Sequence, residues 1–258
     1  MASSMVVGDL HSVNFQFPAR ELQNDRIRLV PFATTRHAEL FFQGSVNHPE
    51  LYRYLPYGPY ESATEFVETF INNRIHPTPG NILYAIIDKT RSHPDSPSPS
   101  QADFAGVIGY LNTDMSNLKT EIGFIKILPP FQCTHVTTNA VGLLLQYALN
   151  RPSHLHAPGL GLRRVQWQAN VLNLKSIRVA ERMGFMREGI LRWDRALPAD
   201  RGKVGNGAPL REGDPEPGKM GRHTVILAIC WDDWENGGEE GALCVMARQE
   251  RQKQSILA

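Results

Sequence analysis

Two short stretches and one cluster of rings hold most of the residues able to do chemistry. The first stretch, Phe131 to Gly142, reads "FQCTHVTTNAVG" and has the outline of a phosphate-binding turn between a strand and a helix. A helix N-terminus gathers unpaired backbone N–H groups and a favourable dipole, which suits an anion. Such turns usually carry glycine, but none appears before Gly142, well inside the helix; the turn is filled by Cys133, Thr134, His135, Thr137 and Thr138. The second stretch, "NLKSIRVAERMGF", opens on Asn173, a good N-cap, and closes on Gly184, suited to the left-handed position after a helix. The ring cluster is "LYRYLPYGPY", with Tyr52, Tyr54, Tyr57 and Tyr60. His154 and His156 form an H-x-H in a Pro/Gly-rich loop with no carboxylate or cysteine partner, so they read as solvated and no metal site is expected.

These residues need elements to hold them. "DRIRLVPF" alternates as a half-buried strand does, and "ESATEFVETFINNRI" places Phe66, Phe70 and Ile71 at helical spacing. "ILYAIID", "FAGVIGYLNTD" and "KTEIGFIKIL" read as three strands, the first two joined by the Pro/Ser-rich loop 89–103 as a long hairpin. In "NAVGLLLQYAL" a stripe of Val136, Ala140, Leu143, Leu144 and Tyr147 marks a helix. "LRRVQWQAN" is a strand with Val165, Trp167 and Ala169 on one side, and "GILRWDRAL" and "HTVILAICWDDW" are two more. The order β–α–α–β–β–β–α–β–α–β–β describes an α/β mixture with an antiparallel meander and excludes strict βαβ alternation. The expected organisation is an extension over 1–24, one domain over 25–234 with flexible segments at 89–103 and 198–221, and a helical tail over 235–258.

Bulk composition narrows the function classes. The chain has 258 residues, 41% apolar and 21% charged, with a formal net charge of +1. That balance provides no global field for nucleic acid or an anionic membrane, so neither is expected as a partner. Three widely spaced cysteines and no signal-peptide-like start point to the reducing cytoplasm.

The strand-to-turn passage "EIGFIKILPPFQ", followed about thirty residues later by "QANVLNLKSIRVAERMGFMREG", resembles the GNAT (Gcn5-related N-acetyltransferase) superfamily. The likeness extends to the RimJ/RimL-like branch and its filamentous-fungal members and covers roughly Arg26 to Trp234. Asn173, Ser176, Glu181, Arg182, Gly184 and Phe185 carry its most specific part. The resemblance implies a mostly antiparallel central sheet splayed between two central strands, with helices on both faces. It implies acetyl-CoA as co-substrate and acyl transfer to a small-molecule or peptide amine, in a monomer or homodimer.

It also implies a division of labour. The backbone of Ile125, Lys126 and Ile127 would pair with pantetheine and polarise the thioester carbonyl. The family's pyrophosphate loop falls on Gln132-Cys133-Thr134-His135-Val136-Thr137, with His135 and Thr137 at its two glycine positions. Either the amides still bind phosphate, with the threonine hydroxyls and His135 adding contacts, or the side chains close the site. The second case would leave a GNAT-fold protein that binds a ligand or acts on a non-CoA substrate. Glu121 is the general-base candidate; Asp114, in "NTDMSN", reads as a turn residue. Many members have a tyrosine where Ala180 stands, so Ser176, one turn earlier, is the remaining donor to the sulfur. Asn173 and Ser176 would also contact the cofactor. The acceptor pocket would draw on Tyr54, Tyr57, Trp193 and the 198–221 insert, while His223 is expected simply to pack and Cys133 to be a small loop residue.

Overall fold

Alternation of buried and half-buried residues through Ile27–Pro31 is what a strand covered on one face produces. The computed structural model describes residues 14–92, 99–199 and 202–248. Its strands are β1 (Leu22–Gln23), β2 (Ile27–Pro31), β3 (Ile82–Asp88), β4 (Phe104–Asp114), β5 (Lys119–Ile127), β6 (Arg164–Asn170), β7 (Met186–Pro198) and β8 (Lys219–Cys230). They form one sheet in the order β1-β2-β3-β4-β5-β6-β8-β7. Every pairing is antiparallel except β5 with β6. The expected mixed sheet with a meander is therefore observed.

The helices are α1 (Thr34–Ser45), α2 (Ala63–Phe66), which widens into a π-type stretch over Val67–Ile75, α3 (Val136–Leu149), α4 (Leu174–Arg182), the single turn α5 (Trp231–Asp233) and α6 (Glu239–Ala247). Ser62 caps α2 by accepting from the Glu65 amide. α1 and the α2 segment cover one face of the sheet, where Lys126 of β5 lies among Phe41 and Phe70. α3 covers the other face, where the Tyr110 hydroxyl of β4 donates to the Leu144 carbonyl.

The central parallel pair is short. β5 and β6 are paired only over Lys119–Glu121 against Arg164–Gln166, and beyond Glu121 they part. On its other side β5 carries an extra residue against β4: Val107 faces Lys126, but Gly109 faces Gly123. The bulge falls at Phe124 and Ile125, and Phe124 takes a left-handed φ of 56°. Gly106 permits the tight packing across this bulge. Its φ is +132°, and a Cβ there would stand 2.0 Å from the Lys126 carbonyl oxygen.

α3 is more buried than its five-residue stripe suggests, with eleven of fourteen residues inside. The reason is a second cover. α6 lies over its outer side, where a Cβ on Gly142 would stand 2.1 Å from Met246 Sδ. The Trp234 indole donates to Asn150 Oδ1 at 2.7 Å. The N-terminal extension is likewise packed where it is described: Phe15 stacks on Tyr110, and the Arg20 guanidinium sits 4.4 Å from the Tyr147 ring.

Two expectations of flexibility meet the structure differently. In the 89–103 loop, residues 93–98 lie outside the described residues. The 198–221 insert has anchors a free loop would lack: Lys203 is buried and its ammonium donates to the carbonyls of Tyr57 (2.8 Å), Tyr52 and Gly58. The Val204 amide also reaches the Arg53 carbonyl at 2.9 Å. A buried lysine must find acceptors, and the 52–58 segment supplies three. The helical tail is observed to Ala247; 249–258 lie outside the described residues.

Candidate active site

The fork between β5 and β6 leaves one edge of β5 unpaired from Ile122 onward. The bulge at Phe124 and Ile125 lies in this free section. Ile125, Lys126 and Ile127 thus stand where an extended ligand could add strand-like hydrogen bonds. The Gln132 side chain holds the far end by donating to the Ile127 carbonyl at 3.0 Å.

The turn after β5 explains its lack of glycine. His135 has φ −63° and ψ −20°, ordinary helical values, so no glycine is required there. The left-handed residue of the turn is Cys133, exposed, at φ +63°. Thr134 closes the turn: its hydroxyl donates to the Phe131 carbonyl at 2.7 Å and accepts from the Val136 amide at 3.3 Å. Among the described residues, the amides of Thr137 and Thr138, in the first turn of α3, donate to no backbone acceptor outside the helix. Two donors and the helix dipole remain available for an anion.

The expected phosphate contact from the His135 ring is not in this geometry. The ring is buried and its Nε2 lies 3.2 Å from Asp88 Oδ1, at the end of β3. Asp88 also accepts from Thr90 and lies 3.5 Å from Arg91 Nε, and Arg91 covers the Phe131 ring at 4.4 Å. His135 therefore braces the turn from behind, and its Cβ, directed inward, leaves the anion side clear. His135→Gly is expected to lower stability by about 1–3 kcal/mol, because Asp88 loses a buried partner. It should leave the acetyl-CoA dissociation constant within about threefold, a difference far smaller than loss of a charged phosphate contact. Calorimetry beside a melting curve checks both; a large loss of affinity with unchanged stability would return the ring to the phosphate site.

α4 follows β6 after three residues. Asn173 caps it by accepting from the Ser176 amide at 3.3 Å. Gly184, φ +95°, ends it, and the Phe185 amide returns to the Ala180 carbonyl. Ser176 Oγ accepts from the Trp167 indole at 3.0 Å, which leaves the hydroxyl hydrogen free to donate elsewhere. Ala180 is fully buried and has no hydroxyl to offer.

On the opposite face, below the fork, lies a cleft of about 350 Å³. Glu121 lines it, 5% exposed. Its Oε2 accepts from Asn112 Nδ2 (3.1 Å) and Gln168 Nε2 (3.0 Å). Burial pushes the Glu121 carboxyl up to about 7, against the pull of the Asn112 hydrogen bond and of Arg195 and Arg222. A base with that affinity for protons is matched to work near neutral pH. Tyr57 forms part of the wall, its ring tilted against Phe70 with the Arg74 guanidinium 5.2 Å from its centre.

A model of the acetyltransferase (GNAT) domain matches residues 26–186, more than half of the chain. The chain belongs to the GNAT acetyltransferase family. No curated protein sequence matches it. Among solved structures it is similar to a GCN5-related N-acetyltransferase from Brucella melitensis, at 22% identity and TM-score 0.68, covering 90% of this chain and 87% of that one. It is also similar to RimL, a ribosomal L7/L12 alpha-N-protein acetyltransferase solved with coenzyme A, at 18% identity and TM-score 0.60 over 83% and 99% of the two chains. Spermidine N-acetyltransferase from Vibrio cholerae, solved with CoA and spermine, gives 19% and 0.55 over 83% and 100%. Among the described residues no helix is long and apolar enough to cross a membrane.

Within this GNAT domain the fold gathers some of the anticipated residues and separates others. Glu121 and Tyr57 meet in one cleft. Tyr54 contributes its carbonyl, which accepts from Arg222 at 3.2 Å, and its ring is not among the cleft's walls. Trp193 does not reach the cleft: it is exposed, with its ring over Gly221 and against His223. Its backbone explains the displacement, since φ is +54° where the β7–β8 register slips. Tyr52 and Tyr60 are core residues. Asp114 is a turn residue that accepts from the Asn117 amide, and His223 packs on Trp193 and, beyond simple packing, accepts from its amide at 3.0 Å through Nδ1. Missed altogether were Asn112, Gln168, Arg74, Arg195 and Arg222, which come from five different elements. In the chain each is a polar residue of a strand or helix that no local pattern marks as part of a site.

Proposed function

We propose that the chain transfers an acetyl group from acetyl-CoA to a primary amine of a small molecule or peptide, directly within a ternary complex. The observation that carries this reading is the place of Glu121. It is the last β5 residue paired to β6, so its carboxylate stands at the fork, between the free β5 edge and the cleft. The acceptor chemistry named for the RimL and spermidine neighbours, both amines, supports the reading. Asn173, Ser176 and Glu181 to Phe185 support reading the chain as a RimJ/RimL-like member of the family.

The residues present fit an acyl-CoA. The Thr137 and Thr138 amides hold its pyrophosphate at the N-terminus of α3. The β5 edge at Ile125 to Ile127 takes pantetheine in strand-like pairing, and one of its amides polarises the thioester carbonyl. Glu121 accepts the proton as the amine nitrogen bonds to the carbonyl carbon and the carbon–sulfur bond breaks. Ser176 donates to the departing thiolate, a good enough leaving group to need only that. Calorimetry and a thiol-release assay with a mixed amine panel test the reading: binding below millimolar, a raised melting temperature and acetylated product are expected. Absence of both binding and product would end it.

A further inference from the structure

The cleft that Glu121 lines carries more positive charge than its own carboxylate balances. Arg74, Arg195 and Arg222 all line it, and among the described residues Glu121 is the one acid in its wall. Arg195 is partly answered, since its Nε lies 3.2 Å from Asp194 and its Nη2 donates to Gln168 at 2.9 Å. Arg74 and Arg222 are not: among the described residues no carboxylate lies within ion-pair distance of either. Arg222 is 4% exposed, donates once to the Tyr54 carbonyl, and has a buried Nε with no hydrogen-bond partner. A buried guanidinium with an unused donor is costly unless something else completes it. Asp194, the nearest additional acid, is engaged by the Thr224 hydroxyl at 2.6 Å as well as by Arg195.

We propose that the acceptor is a small primary amine that itself bears an anionic group, a carboxylate or a phosphate, held by Arg222 and Arg74 while its amine faces Glu121. This deepens the acyltransferase reading and rests on it. The arrangement gives the two ends of such a molecule different partners. The carboxylate of Glu121 attracts the ammonium form and takes its proton, and the guanidinium fork receives the anion in paired hydrogen bonds. A cleft of about 350 Å³ holds a molecule of amino-acid size or a little larger. It disfavours a polyamine, which would bring further cations among three arginines.

The test presents the full chain and acetyl-CoA with paired acceptors: glycine against glycinamide, O-phosphoethanolamine against ethanolamine, and spermidine as the polycation. The anionic member of a pair is expected to have kcat/KM at least roughly tenfold higher. The pair that shows the preference tells carboxylate from phosphate. Arg222→Gln should remove the preference by raising KM for the anionic member while the neutral member's KM stays within about twofold. Arg74→Gln, at an exposed side chain, serves the same end where the buried replacement fails to fold. Preference for the neutral or polycationic acceptors, or a preference untouched by both variants, overturns the proposal and leaves the acyltransferase reading standing. If acetyl-CoA neither binds nor turns over, that reading falls first. Calorimetry of the anionic amines alone then decides this one, and no heat from any of them overturns it.

Discussion

Glu121→Gln should lower kcat/KM for amine acetylation by roughly 10²- to 10⁴-fold, the range for loss of a general base, with acetyl-CoA affinity unchanged. The substitution keeps the side chain's shape and one acceptor for Asn112 and Gln168, so it removes proton acceptance and little else. The wild-type rate should rise with pH through an acid limb near pH 7, because the buried carboxyl must ionise to work. The variant should lack that limb. Stability supplies an independent readout. The folded carboxyl holds its proton more tightly than the usual value of 4.5, so its favourable contribution is present below that value and lost as pH rises through about 7. The glutamine variant should therefore melt higher than wild type at pH 8 and alike at pH 4. Retention of activity within threefold, with the acid limb intact, would remove Glu121 from the base role.

A second large effect concerns a residue whose backbone, not side chain, belongs to the proposed site. Lys126 is 2% exposed, and its ammonium lies within 6 Å of the rings of Phe41, Tyr57 and Phe70. Its one hydrogen bond is long, 3.4 Å to the Phe124 carbonyl. Burial, then Arg74 and Lys203, hold its affinity for the proton down to about 7. The ring faces offset only part of that cost. Here the folded value is depressed, so the penalty grows as pH falls from about 10.5 toward about 7 and is complete below. Lys126→Met fills the same space without a charge. It should stabilise the fold by about 3 kcal/mol at neutral pH and raise the melting temperature by roughly 5–10 °C. The gain should shrink at pH 10. A variant less stable than wild type at pH 7 would show that the rings compensate the ammonium in full.

Much of the frame was legible because it rests on repetition. Val165, Trp167 and Ala169 mark a strand by alternation, and Asn173 and Gly184 bracket a helix by their own conformational habits. The doubly covered α3 was legible as a helix but not as an inner one, because its second cover is a tail nearly a hundred residues away. The candidate site was legible where the signal is local, as in Glu121 beside the fork and the turn after β5. Two things were not. The direction of the His135 ring depends on Asp88, forty-seven residues earlier, which no local pattern connects to it. Arg222 and Arg74 gain meaning only when β8 and the helix after Ser62 face one another. A single arginine in each element is indistinguishable from any surface charge until the fold sets the two on one cleft.

The fit of Met246 against Gly142 has a bearing on where this protein begins and ends as a physical object. The family match stops at the first residue of β7, before β8 and α6. Yet β8 is the partner of β6, and α6 is the outer wall of α3, whose first turn is the proposed anion site. Homology therefore draws a boundary through the middle of a cooperative unit. A fragment cut to the matched residues would keep the recognisable motifs and expose the underside of α3 and one edge of β6. The portion that identifies the family and the portion that holds itself together are different lengths of the same chain.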